Sequence, residues 1–167
     1  MALDSNILKL KAEIEAAFAD VPYPGNGNLV ETRNPEYLDA AKFFKGIKWQ
    51  DWKEKPGQLL TPEVNSYLFF LSPAAFRYYL PLYMIFTLTD YYASDLRPDE
   101  VIGSVTLGGI DPKLREHTER RMSLMTPRQL KVILEYLEFF KREHSVDLSG
   151  SHIDSGIENL RKLICNA

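Results

Sequence analysis

Ser72-Pro73-Ala74-Ala75-Phe76-Arg77-Tyr78-Tyr79-Leu80-Pro81-Leu82-Tyr83-Met84 is the stretch whose reading decides the fold. Ser72 offers a side-chain acceptor at an N-cap, and Pro73 takes the first helical position, where a missing N–H is harmless. The next turn carries Phe76, Tyr79 and Leu80. Pro81 then removes one backbone hydrogen bond and clashes with the preceding turn, so a kink is expected near Leu80. Leu82, Ile85, Phe86 and Leu88 continue the apolar surface, which predicts a bent helix through the centre of the domain. Arg77 is the lone charge of the run. It requires a carboxylate partner or a route to solvent, because an unpaired buried charge is very unfavourable.

Residues 67–88 carry no other charge, over a length that matches a bilayer span. Pro73, Pro81, Ser72 and tyrosines spread through the middle, instead of gathered in interfacial belts, favour burial in a soluble helical core. The chain has 167 residues, 45% hydrophobic and 26% charged. That is the size and composition of one folded domain over residues 1–167. A formal net charge of -3 supplies no general attraction to phosphate backbones or anionic lipid, so neither nucleic acid nor membrane is an expected partner. Cys165 is the only cysteine, which excludes an intramolecular disulfide and a cysteine metal cage. Met1-Ala2-Leu3-Asp4-Ser5 has no basic region leading into an apolar run, so a cytoplasmic location is expected.

Working outward, Asn34-Pro35, Thr61-Pro62 and Thr126-Pro127 repeat the cap-then-proline signal of a helix start. Thr126 with Gln129, and Ser155 with Glu158, have the spacing of capping boxes. Ile7, Leu10, Ile14, Phe18 and Val21 make an apolar stripe on a helix capped by Asp4 or Ser5 and ending near Pro22. Leu130, Ile133, Leu134, Leu137 and Phe140 make another, widened by Val132, Tyr136 and Phe139 into a helix buried on two sides. Tyr37, Ala40, Ala41 and Phe44 mark a shorter helix, and Ile157, Leu160, Leu163 and Ile164 a last one. Val101, Ile102, Val105, Leu107 and Ile110 favour strand, but no second run exists to pair with them; a loop is expected, with a short helix after Pro98. The prediction is a mainly α single domain of about six helices around the Pro-kinked one, with little or no sheet.

Phe43-Phe44-Lys45-Gly46-Ile47-Lys48-Trp49, Leu59-Leu60, the run from Leu71-Ser72-Pro73 to Leu82, and Thr126-Pro127-Arg128-Gln129 together resemble an uncharacterised family of small bacterial proteins of unknown function. The resemblance covers roughly residues 40–140, its most specific part being Phe76-Arg77-Tyr78-Tyr79-Leu80-Pro81. It implies a fold and brings no catalytic residue to transfer.

Three constellations are candidates for chemistry or binding. His144, Asp147, His152 and Asp154 place two imidazoles and two carboxylates in one short stretch, a donor set suited to zinc. Their spacing matches no standard metal motif, and they equally suit a polar connection in which Asp154 or Ser155 caps the last helix. His117 lies among Arg115, Glu116, Glu119, Arg120 and Arg121, read as a solvated helix face with a Glu116/Arg120 pair. Gly25-Asn26-Gly27-Asn28 lacks the lysine and preceding strand of a nucleotide loop. Asp90, Tyr91, Tyr92, Asp95, Asp99 and Glu100 form an acidic stretch with adjacent tyrosines, suited to a protein interface that steers toward a basic partner. Trp49 and Trp52 are read as core rather than anchors.

The expectation is a non-enzymatic protein-binding module without cofactor, most concretely a bacterial immunity protein whose acidic stretch meets the basic cleft of a toxin. The alternatives are a metal-dependent enzyme built on His144, Asp147, His152 and Asp154, or a regulatory subunit of another complex.

Overall fold

The computed structural model of the chain describes residues 2–64, 66–106, 111–148 and 152–167. Among these it has eight α-helices and no strand. They are α1 (Ser5–Phe18), α2 (Pro35–Phe44), α3 (Pro56–Leu59), α4 (Pro73–Thr89), α5 (Arg97–Val105), α6 (Pro112–Met122), α7 (Pro127–Glu143) and α8 (Ile153–Cys165). Single 3-10 turns occupy Asn26–Asn28, Trp49–Asp51 and Tyr67–Phe70. Eight exceeds the expected count of about six; α3 is a single turn, and the short helix expected after Pro98 is α5, which begins at Arg97 and runs to Val105.

Ser72 caps α4 as its sequence requires, accepting from the Ala75 N–H at 3.1 Å. Its hydroxyl also donates to the Asn28 carbonyl at 2.6 Å, and its N–H to the Leu29 carbonyl at 2.9 Å. One residue therefore opens the helix and ties it to the 26–29 segment. The helix runs on across Pro81 as one element. Every residue from Tyr78 to Leu88 is buried, and α4 packs against α1, α3, α5 and α6. A helix apolar on all sides is stable only when surrounded in this way. The remaining core side chains, among them Phe18, Phe44, Trp49 and Phe140, join it in one continuous cluster.

Buried hydroxyls fix the register around α4. Tyr79 donates to the carbonyls of Phe44 (3.0 Å) and Ile47 (2.7 Å), holding the chain that leaves α2, where Gly46 adopts φ +72°. Only glycine takes that conformation freely. The Thr87 hydroxyl lies 2.6 Å from that of Tyr136, joining α4 to α7. That helix is buried on two sides as its pattern required, packing on α1 and α8.

Arg77 is half-buried, and its Nε donates not to a carboxylate but to Gln129 Oε1 at 3.0 Å. The Thr126–Gln129 capping box is formed. Ser155 and Glu158 do not form theirs, because α8 begins earlier, at Ile153 with His152 at the N-cap. Asp4 caps α1, which ends at Phe18 and not at Pro22. Thr61-Pro62 opens a turn instead of a helix, the Val64 N–H bonding the Thr61 carbonyl. Val101, Ile102 and Val105 are the buried face of α5; their β-favouring side chains fit a short helix because tertiary packing outweighs propensity. Leu107 and Ile110 lie outside the described residues. No described helix is long and apolar enough to cross a membrane.

Candidate functional site: an acidic ridge between α4 and α5

Asp90 closes α4, its N–H bonding the Phe86 carbonyl at 2.9 Å. The chain then turns tightly. The Ser94 hydroxyl donates to the Tyr91 carbonyl at 2.6 Å, and the Ser94 N–H to the Asp90 carbonyl at 3.0 Å. Asp95 adopts φ +53°, a left-handed conformation that aspartate tolerates better than most residues. This turn throws Tyr92 and Leu96 outward, 86% and 70% exposed. Asp90, Asp95 and Asp99 are exposed beside them.

The ridge is anchored from below. The Arg97 side chain is buried and pairs with Glu100 Oε2 at 3.0 Å, while its Nη2 donates to the carbonyls of Thr61 and Val64. The start of α5 is thereby fastened to the 61–64 turn. Tyr91 is half-buried and stacks on His144, ring centres 3.6 Å apart at 13°. Burial and the neighbouring Asp147 carboxylate push its hydroxyl above the ordinary tyrosine range. Hollows lie on both flanks. One of about 550 Å³ is lined by Gly57, Phe86, Asp90 and Ala93, and one of about 190 Å³ by Val64, Ser66, Ser94 and Leu96; Leu60 and Pro62 line both.

Of the six residues expected at this surface, Asp90, Tyr92, Asp95 and Asp99 face solvent, and Tyr91 supports the ridge from behind. Glu100 does not belong to the surface. It turns inward to Arg97, and burial raises its pKa above the ordinary carboxylate value. Leu96 was missed by sequence reading, although an apolar residue lying between Asp95 and Asp99 was a signal for it.

The four residues of the candidate metal site have separate engagements. His144 Nδ1 and Asp147 Oδ2 are 4.0 Å apart, Asp154 pairs with Lys141 at 2.7 Å, and His152 lines a cleft between α5 and α6. Among the described residues no group of three or more His, Cys, Asp or Glu side chains is placed to hold a metal ion. In the His117 cluster, Arg115 pairs with Glu119 at 3.0 Å, and Arg120 makes two bonds to Glu31 instead of pairing with Glu116. Arg121 is not on the solvated face at all; it is 1% exposed. Trp49 is core, as expected, and Trp52 packs at its edge.

Comparison with curated proteins and with solved structures finds no match to the chain. A family model covers almost all of it, residues 6–159. The chain therefore belongs to DUF6714, a family of unknown function.

Proposed function

We propose that the chain is a non-enzymatic protein-binding module, a bacterial immunity protein that acts in the cytoplasm and neutralises a cognate toxin through the ridge at residues 90–99. The observation that carries this reading is the pairing of Tyr92 and Leu96, 86% and 70% exposed, inside a frame of three exposed aspartates. Burying either side chain against a partner contributes roughly 1.5–3 kcal/mol. A tyrosine with a neighbouring leucine is an ordinary interface anchor, and surrounding carboxylates favour a partner whose groove is basic. The ridge is also pre-set by the Arg97 bonds and the Ser94 turn, which limits the ordering entropy lost on binding.

The test is co-expression with the product of each toxin-like neighbouring gene, followed by affinity capture. A stable pair is expected, with protection of the host cell and an association rate that falls as salt rises, because the three aspartates act at long range. Tyr92→Ala and Leu96→Ala should each weaken capture by about 2 kcal/mol or more without lowering Tm. Capture that survives both substitutions and Asp95→Lys would overturn the assignment of the ridge. A partner whose toxicity is unaffected by capture would overturn the immunity role and leave a regulatory subunit.

A further inference from the structure

Arg121 is charged, 1% exposed, and forms no ion pair among the described residues. Glu31, an acid close enough to act on it, is bonded through both oxygens to Arg120. Its Nη2 donates to the carbonyls of Leu68 and Phe69. Its guanidinium lies over the Phe76 ring, 4.5 Å from the centre, and near that of Phe69 at 5.6 Å. The Arg121 Nε is buried and meets no acceptor among the described residues. Burial lowers the pKa only to about 10, so the group stays protonated at neutral pH. Two carbonyl dipoles and two ring faces compensate a full buried charge only in part.

Arg121 also lines a cleft of about 390 Å³ between α5 and α6. The α6 wall is the stripe Leu114, Thr118, Arg121, at intervals of four and three, with Arg115, paired to Glu119, beside it, and the α5 wall includes Gly103 and Ser104. Phe69 lies at the same cleft. The Thr118 hydroxyl makes no hydrogen bond among the described residues. A Cβ built on Gly103 meets nothing within 4 Å among the described residues, so the helix presents exposed backbone there. Apolar walls, one unneutralised guanidinium and a spare hydroxyl are the constitution of a small-molecule site.

We propose that this cleft binds a small organic carboxylate, its anion held by Arg121 and Thr118 and its apolar body against Leu114, Phe69 and the backbone at Gly103. Planar guanidinium suits carboxylate and phosphate alike. With Glu100 paired to Arg97 and Arg115 to Glu119, Asp99 is, among the described residues, the unpaired charge opposite Arg121; it repels a dianion more than a monoanion, and the apolar walls reward a hydrocarbon body, so the organic monoanion is the better fit. The size of the cleft suits a phenylalkanoic acid or a medium-chain fatty acid. The site is distinct from Tyr92 and Leu96, so its failure would leave the reading of the ridge intact.

The experiment is calorimetric titration of the full chain with sodium phenylacetate, sodium octanoate, phenylacetamide and inorganic phosphate. At least one of the two acids should saturate with a Kd on the order of 0.1–1 mM, and phenylacetamide should bind about tenfold or more weakly than phenylacetate wherever phenylacetate binds. Gly103→Leu should abolish saturation while leaving Tm unlowered, because it fills the cleft from a helical position that has room for it. Arg121→Lys should weaken the acid about tenfold, losing the planar fork. Should that variant fail to fold, Gly103→Leu still decides. No saturation by either acid, equal binding of acid and amide, binding of phosphate alone, or undiminished binding to the Gly103→Leu chain would each overturn the proposal.

Discussion

Gln129 accepts from the Thr126 N–H (3.1 Å) and from Arg77 Nε (3.0 Å) through one oxygen, and donates to the Ala17 carbonyl (3.0 Å) through its nitrogen. It is 1% exposed, and it joins the start of α7 to α4 and to the end of α1. Gln129→Ala would leave two donors and a carbonyl unpaired in a half-buried setting, so a loss of about 2–3 kcal/mol is expected in denaturant unfolding. Thr126→Ala, which removes the cap alone, should cost about 1 kcal/mol; an equal effect of the two would mean that the amide matters only to the capping box. The helical glycines allow a second comparison at this scale. Gly103→Ala should stabilise by about 0.5–1 kcal/mol, since the new methyl meets nothing. Gly156→Ala should instead destabilise by about 1–3 kcal/mol, because its Cβ would lie 2.7 Å from Thr106 Oγ1 and 3.2 Å from Leu137 Cδ1. The same substitution with opposite signs, read from Tm, tests whether α8 packs on α5 as closely as described.

At the scale of elements, Pro81 stands inside α4 without dividing it. The residue lacks the N–H that would have bonded the Arg77 carbonyl, yet the buried surface on either side, from Tyr78 to Leu88, holds the two halves in one helix. Tertiary burial of that extent outweighs one missing hydrogen bond. The same balance explains α5. Val101, Ile102 and Val105 favour strand, and with no second run to pair with them the sequence predicts a loop with only a short helix after Pro98; the structure has α5 from Arg97 to Val105, with no side-chain cap bond at Leu96. What holds the start of α5 is the Arg97–Glu100 pair, three residues apart, together with the Arg97 bonds to the Thr61 and Val64 carbonyls, which reach across more than thirty residues of chain. Conversely, the Thr126–Gln129 box and the Ser72 cap were legible because their partners lie within three residues.

At the scale of the whole molecule, the titrating groups set the pH behaviour. His117 and His144 are both held below the ordinary histidine value of 6.5, first by burial. A folded chain that resists protonating them keeps the full contribution of the neutral rings above pH 6.5 and loses it as pH falls through their folded values. Glu100 and Glu135 are raised, again first by burial, and act with the opposite sign: their contribution is present below the ordinary carboxylate value of 4.5 and fades as pH rises. Glu15 is lowered by Lys11 and Lys53 against its burial, and Glu31 chiefly by the Arg120 bond, so their loss begins below about pH 4.5. The expected result is a Tm that begins to decline as pH falls below about 6.5, with the decline reduced in the His117→Gln/His144→Gln chain. An unchanged pH profile in that double variant would show that the two rings do not carry it.

Local signals in the chain were enough to determine a helical protein: caps within three residues, apolar stripes at three and four, and a charge-poor stretch opened by the Ser72 cap that had to be buried. They also pointed to the stretch from Asp90 to Glu100 as a candidate surface, of which Asp90, Tyr92, Asp95 and Asp99 are exposed. Tertiary structure alone decided which side chains of each cluster turn inward. Glu100 left the acidic surface for Arg97, Arg121 left the solvated face of α6 for the rings of Phe69 and Phe76, and Arg77 found an amide instead of an acid. The physical reason is that a charged side chain on a helix reaches several ångströms in either direction at little conformational cost. Arg77 and Arg121 meet partners more than fifty residues away, and Glu100, only three residues from Arg97, turns inward because that guanidinium is itself tied to the 61–64 carbonyls; no periodicity within the helix carries that information.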